Sequence, residues 1–313
     1  HTNTQILKHQ HSNTGTEILN DSSETSTSSK SNTDGIEIEM PKLKRKIQSE
    51  TVFDIPSGRT FSWHPSKSNK ESSNEGTIRF KTNLVVNRGE FVCVCGSVGS
   101  GKSSLLSALT NELFPRLGQT PRSAIVTQTP WIQNVCLRDA VLFGRPFDKS
   151  RYDNVVQHCQ LGPDLKVLPA GDSTEIGERG ITLSGGQKSR VAIARACYDI
   201  ENTELFLFDD SLSALDVHVG TKIFKHVLTG MLAEKTRILV LSSQYHLLQH
   251  ADRVVVMEDG ECVYCGDPHQ AITQYEHLFG KLKFIKEKKG NDDDDDDEKK
   301  VKEEEEEEEV SKE

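Results

Sequence analysis

Residues 91–104 read FVCVCGSVGSGKSS: five apolar residues, a polar run punctuated by three glycines, then a lysine and two serines. The apolar run has the length and the aromatic and β-branched content of a strand buried on both faces. Gly96 to Ser103 fits G-x-x-x-x-G-K-[ST], set between that strand and a helical pattern over Lys102–Thr110, the context in which such a loop works. Its glycines let the backbone bend so that the N–H groups of Gly96, Ser97, Val98, Gly99, Ser100 and Gly101 turn inward on phosphate oxygens. The helix that follows, opening with Lys102, Ser103 and Ser104, adds its positive N-terminal end. Lys102 supplies a point charge for the β- and γ-phosphates, and the Ser103 hydroxyl reaches Mg²⁺.

Working outward, further apolar runs stand at Leu205–Phe208, Ile238–Leu241 and Val254–Met257. Helical patterns lie between them at Gly186–Tyr198 and Val219–Leu232. Alternation of this kind predicts an α/β fold, a P-loop core whose mainly parallel sheet is flanked by helices on both faces. Residues 131–180 lack strand runs and read as a helical insertion.

Composition bounds the rest. The net charge of −10 is concentrated in residues 292–313, which hold 15 Asp and Glu against 4 Lys. The remaining chain is close to neutral, so no basic face argues for nucleic acid or anionic lipid. Residues 1–50 are poor in apolar groups, and 18 of the first 35 are Ser, Thr or Asn. That stretch cannot bury enough surface to offset its ordering entropy and reads as a disordered linker, able to accept phosphate at its Ser/Thr cluster or to act as a plain spacer. HPSKSNKESSNEG at 64–76 reads as a long loop, and 286–313 as a disordered acidic tail. The ordered domain is then 51–285. Most of the seven cysteines fall in apolar segments, as expected of reduced, buried thiols in a cytosolic protein. Cys262 and Cys265 have C-x-x-C spacing without a second pair, which favours packing over metal. No run of 18 apolar residues is present, so no segment reads as a membrane span. The start at His1 rather than Met suggests a piece of a longer protein.

The run LFLFDD at 205–210 ends on two carboxylates. Asp209, first after the apolar run, suits Mg²⁺ held through its water shell. LSGGQ at 183–187 opens a helix with Ser184 as N-cap. EIGERGIT precedes it at 175–182, SALD follows at 213–216, and TQTPWIQN lies upstream at 127–134. Taken together, these motifs resemble the nucleotide-binding domain of an ATP-binding cassette (ABC) transporter, over about residues 51–285. WIQN followed by LRDAVLFG, and DDSLSALDVHVG, resemble the first such domain of the C subfamily, which holds multidrug-resistance-associated exporters, a chloride channel and sulfonylurea receptors.

The resemblance implies an antiparallel β subdomain, a signature-bearing helical subdomain over 131–200, and ATP with Mg²⁺ as ligands. It implies a second nucleotide-binding domain as head-to-tail partner, transmembrane domains of the same transporter, and a place on the cytoplasmic face of a membrane. Nucleic acid is not expected. It further implies that Trp63 stacks on adenine, that Gln128 touches Mg²⁺ and the attacking water, and that Ser184, Gly185, Gly186 and Gln187 meet the partner's ATP. Asp216 falls at the dimer seam, and Arg138 with the 131–180 helices forms the surface beneath the membrane domains. Two departures stand out. Asp210 replaces the usual catalytic Glu, and one methylene fewer withdraws the carboxylate by roughly 1.5 Å, where misplacement on that scale can cost about a hundredfold. Ser242, in TRILVLSSQYH, replaces the usual histidine at the γ-phosphate, and serine cannot become a cation. Lys102, Gln128, Asp210 and Ser242 are thus the catalytic candidates of a site expected to bind Mg-ATP and hydrolyse it poorly. Three outputs remain open: solute export, with organic anions the cargo that the exporter resemblance implies; ATP sensing in a channel or receptor; and a soluble cassette ATPase acting on nucleic acid.

Overall fold

The computed structural model describes residues 50–65, 77–177 and 181–279. The expected linker, apart from Glu50, the 66–76 part of the polar insert, residues 178–180 of EIGERGIT and the acidic tail lie outside the described residues.

Phe91–Cys95 forms β5, buried at all five positions. It pairs in parallel with β10 (Thr236–Val240) on one side and β11 (Arg253–Glu258) on the other. Parallel pairing continues from β10 to β9 (Leu205–Asp209) and from β9 to the edge strand β6 (Ser123–Val126). The sheet extends past β11 through β12 (Glu261–Gly266), β3 (Thr77–Phe80) and β2 (Thr60–Ser62), giving the order β2-β3-β12-β11-β5-β10-β9-β6. There the β11–β12 and β2–β3 pairs are antiparallel. A separate antiparallel ladder joins β1 (Thr51–Ile55) to β4 (Leu84–Asn87). The mainly parallel P-loop core and an antiparallel β part are thus both present.

The core runs from Phe53, Phe61 and Phe80 through Val92, Val94, Leu105 and Leu109 to Leu207, Ile238 and Val255. Helix α1 (Lys102–Leu109) packs on β9. Residues 131–200 hold α2 (Leu137–Leu142), α3 (Lys149–His158), α4 (Gly162–Val167) and α5 (Gly185–Tyr198). They also hold a two-residue ladder between β7 (Val135–Cys136) and β8 (Glu175–Ile176), too short to read from periodicity.

The single helix expected over Val219–Leu232 is divided. α6 (Val217–Ile223) passes into a π-helical stretch over Phe224–Met231, and the Leu232 N–H donates to the Val227 carbonyl five residues back. The Thr229 hydroxyl donates to the Phe224 and Lys225 carbonyls at 3.4 and 3.1 Å. Such back-bonding competes with the main-chain ladder, and a side chain on Gly230 would crowd the Lys225 carbonyl at 3.0 Å. Where this stretch leads into β10, Arg237 is buried with its guanidinium 5.1 Å above the Phe91 ring, donating to the Ala233 and Leu232 carbonyls.

All seven cysteines are free thiols. Burial holds the Cys93 and Cys95 thiols well above the ordinary range and pushes Cys262 up to about 12. Cys262 is a core residue, and Cys265 packs against that core. After them come α7 (Pro268–Gln274) and α8 (Glu276–Phe279).

Leu207→Ala removes a fully buried side chain from the middle of β9. It is expected to cost about 2–5 kcal/mol, read as a lowered urea midpoint at unchanged m value.

Candidate functional site

The strand β5 delivers the chain at Cys95 into a loop that only this composition can form. Gly96 takes a φ of 149°, and a Cβ there would stand 2.2 Å from the Met257 carbonyl oxygen. Gly99 and Gly101 have φ of 80° and 98°, where side chains are strained. Ser97, Val98 and Gly99 are exposed at the rim while Ser100 is buried, its hydroxyl without a protein partner. Lys102 is buried and turns back into the loop, its Nζ donating to the Gly96 and Ser97 carbonyls at 2.9 and 2.8 Å. Burial pulls the ammonium below its ordinary range, with Asp210 the largest opposing influence. A desolvated cation held inside a glycine-bent loop is a site for an anion.

At the tip of β9, burial raises the carboxyl pKa of Asp209, and the nearby Ser103 side chain works against that rise. Hydroxyl and carboxylate oxygens side by side are the donor set that suits Mg²⁺, so these residues fit the cation. Asp210 lies in the left-handed region with φ of 47° and is buried. Both of its oxygens are engaged. Gln128 Nε2 donates to Oδ2 and the Ser242 N–H donates to Oδ1, each at 3.3 Å. The loop after β6, the tip of β9 and the loop after β10 therefore meet on one carboxylate. Ser103, Gln128, Asp209, Asp210, Ser242 and Lys102 come together at the ends of adjacent strands, the usual location of ligand crevices in such sheets.

The other candidates stand elsewhere. Trp63 is 44% exposed at the end of β2, beside the Ser62–Phe114 bridge. Ser184 caps α5 through a full capping box: its hydroxyl accepts from the Gln187 N–H, and Gln187 Oε1 accepts from the Ser184 N–H. Gln187 Nε2 donates to Asp164, so both ends of that amide serve the protein itself. A Cβ on Gly186 would lie 3.1 Å from the Ala214 carbonyl oxygen, so the signature helix starts against SALD. Gly185 faces open space. Asp216 caps α6, accepting from the Val219 N–H. Arg138 is committed to Asp172 through two 2.8 Å hydrogen bonds and lies over the Phe147 ring. His246 is exposed.

Two contacts went unread in the sequence. Asp164 on α4 binds both Gln187 and Arg190 of the signature helix, across more than 20 positions of chain. Tyr245 donates to the Ser242 carbonyl at 3.2 Å; an aromatic three residues past the altered histidine position was the signal available. Next to the Gln128 loop, β6, α5 and the turn after α2 line a cleft of about 330 Å³, with Ile125, Trp131, Phe143 and Arg195 among its walls. Trp131 is 64% exposed there. Among the described residues no helix is long and apolar enough to cross a membrane.

Comparison with known proteins gives a consistent picture. A family model described as ABC transporter matches residues 80–213. Multidrug resistance protein mrp-7 of Caenorhabditis elegans is 46% identical over 239 residues, covering 74% of this chain and 15% of its own. ABC transporter C family member 8 of Dictyostelium discoideum is 45% identical over 225 residues, 70% of this chain and 13% of its own. ATP-binding cassette sub-family C member 2 of Homo sapiens is 45% identical over 216 residues, 67% of this chain and 14% of its own. The chain therefore spans about one seventh of the length of these relatives.

The Arg190–Asp164 pair has side chains only 13% and 11% exposed. Asp164→Ala leaves that guanidinium without its partner and is expected to cost about 3 kcal/mol, measured by chemical denaturation. Asp164→Asn, which keeps one acceptor, should lose less.

Proposed function

We propose, from the premise that this chain belongs to the ABC transporter family and carries its ATP-binding domain in the C-subfamily form, that residues 96–104 hold Mg-ATP in a site that retains it and cleaves it slowly. The observation that carries this reading is the state of Asp210, a shortened carboxylate with one oxygen on Gln128 and the other on Ser242.

Lys102 would release the Gly96 and Ser97 carbonyls to meet the β- and γ-phosphates, and the inward N–H groups of the loop would take the remaining oxygens. Mg²⁺, with Ser103, Asp209 and Gln128 as its protein-side contacts, would neutralise charge developing on the phosphates. Asp210 is the group left to orient water for in-line attack, and it does so with a short reach while already holding two donors. Ser242 offers the γ-phosphate a hydroxyl and no positive charge. Trp63 gives adenine a half-exposed indole to stack on.

Ser184, Gly185 and Gly186 form a capped helix N-terminus suited to an anion from outside the chain. We assign them, with Gln187 as the brace of the cap, to the ATP of a second nucleotide-binding domain packed head to tail. The Trp131 cleft is the face we assign to the transporter's membrane domains. Binding would close the pair and hydrolysis at the partner's competent site would reopen it, shifting the population of the attached membrane helices. The relatives named as multidrug resistance and C-family proteins favour export, and we assign amphipathic organic anions as the cargo class. The doubly held Asp210 equally suits a regulatory site that senses ATP in a channel or receptor. Nucleotide-driven solute flux in vesicles separates the two.

Lys102→Ala should weaken Mg-ATP binding by roughly thirtyfold or more, the loss of a charge-assisted contact of about 2 kcal/mol, read by equilibrium binding. Asp210→Glu combined with Ser242→His should raise turnover by roughly tenfold to a hundredfold. Brisk hydrolysis by the unaltered domain would refute the slow-site reading.

A further inference from the structure

The loop that carries Ser242 is held at three points. Leu241 donates its N–H to the Val94 carbonyl of β5 at 2.9 Å, tying the start of the loop to the strand that feeds the glycine run. The Ser242 N–H donates to Asp210 Oδ1. The Tyr245 hydroxyl closes the turn by donating to the Ser242 carbonyl at 3.2 Å. Between them Gln244 sits at φ of 46°, a left-handed conformation uncommon for a residue with a side chain. A turn through such a residue needs an outside hold to keep one geometry, and the phenol supplies it.

The Tyr245 ring is itself fixed from behind. Phe279, buried at the end of α8, meets it edge-on with ring centroids 5.1 Å apart and planes at 88°, a favourable aromatic geometry. A continuous set of contacts thus runs from α8 through Tyr245 and Ser242 to Asp210 and on to Gln128. The edge-on ring fixes where the hydroxyl points, the hydroxyl fixes the Ser242 carbonyl, and on the other side of the Ser242 Cα the Ser242 N–H holds one oxygen of the carboxylate.

We propose that Tyr245 is a positioning residue for ATP cleavage, aligning Asp210 through the Ser242 backbone, with Phe279 as its brace. This rests on the reading that Mg-ATP occupies residues 96–104. Tyr245 reaches the carboxylate only through the Ser242 backbone, so its loss acts on the cleavage step and leaves nucleotide affinity in place.

The test uses the full 313-residue chain and measures two quantities separately: equilibrium Mg-ATP affinity, and the single-turnover cleavage rate with ATP saturated by excess protein. Tyr245→Phe keeps the ring and removes the hydroxyl. It should slow cleavage by roughly three- to tenfold while Kd stays within about twofold. Tyr264→Phe, which removes a phenol bonded to Asp267 and Gln270, should change neither. Phe279→Leu should slow cleavage in the same direction, and adding it to Tyr245→Phe should bring no further loss, because the two act in series. Unchanged or faster cleavage in Tyr245→Phe, or a loss confined to Kd, overturns the proposal while leaving the site reading intact. Failure of the unaltered chain to bind Mg-ATP removes the site reading and this proposal together.

Discussion

The burial of β5 on both faces between β10 and β11 governs the rest of the molecule. A strand with parallel neighbours on either side has one way out, over the carboxyl end of the sheet, where the Met257 carbonyl stands against Gly96. No side chain fits at that step, so the chain must turn there on a glycine. The turn aims the following N–H groups and the buried Lys102 ammonium at a common point. Neighbouring strands end at the same level, which brings Asp209 and Asp210 from β9 and Ser242 from β10 within reach of that point. The geometry of the candidate site is thus a by-product of strand register.

Much of this was legible because buried parallel strands write themselves as unbroken apolar runs. β5 has the bounds expected, and β9, β10 and β11 differ from expectation by one or two residues at their ends. The glycine loop announced itself through residues that no other local structure requires. The edge strand β6 did not, since Ser123–Val126 is half exposed and short. β12 is equally hard to see in sequence, because ECVYCG is mostly half-buried and carries no unbroken apolar run. The π-helical stretch was read as α, because hydrophobic period distinguishes helix from strand but hardly separates 3.6 residues per turn from a wider coil. The capping box at Ser184 was half legible: the N-cap was read, while the hold of Asp164 on Gln187 and Arg190 depends on tertiary approach and leaves no local trace.

The two adjacent carboxylates have diverged in environment. Asp209 is raised by burial and faces the Ser103 hydroxyl, a setting that a divalent cation would relieve. Asp210, one residue on, turns into left-handed backbone and spends its oxygens on an amide side chain and a main-chain N–H. One is disposed as a ligand and the other as a clasp between two loops. That division of labour between neighbouring carboxylates is what the proposed slow site rests on.

The wide coil at Phe224–Met231 has a mechanical consequence. A π-helical turn packs more residues into each unit of axial length than an α turn does, so this stretch stores slack between Asp216, at the head of α6, and β10, locked in the sheet. Tightening it to ordinary α geometry would lengthen the rod and push the Asp216 end outward while β10 stayed in register. The corner formed by SALD and the head of α6 is therefore backed by a strut with length in reserve.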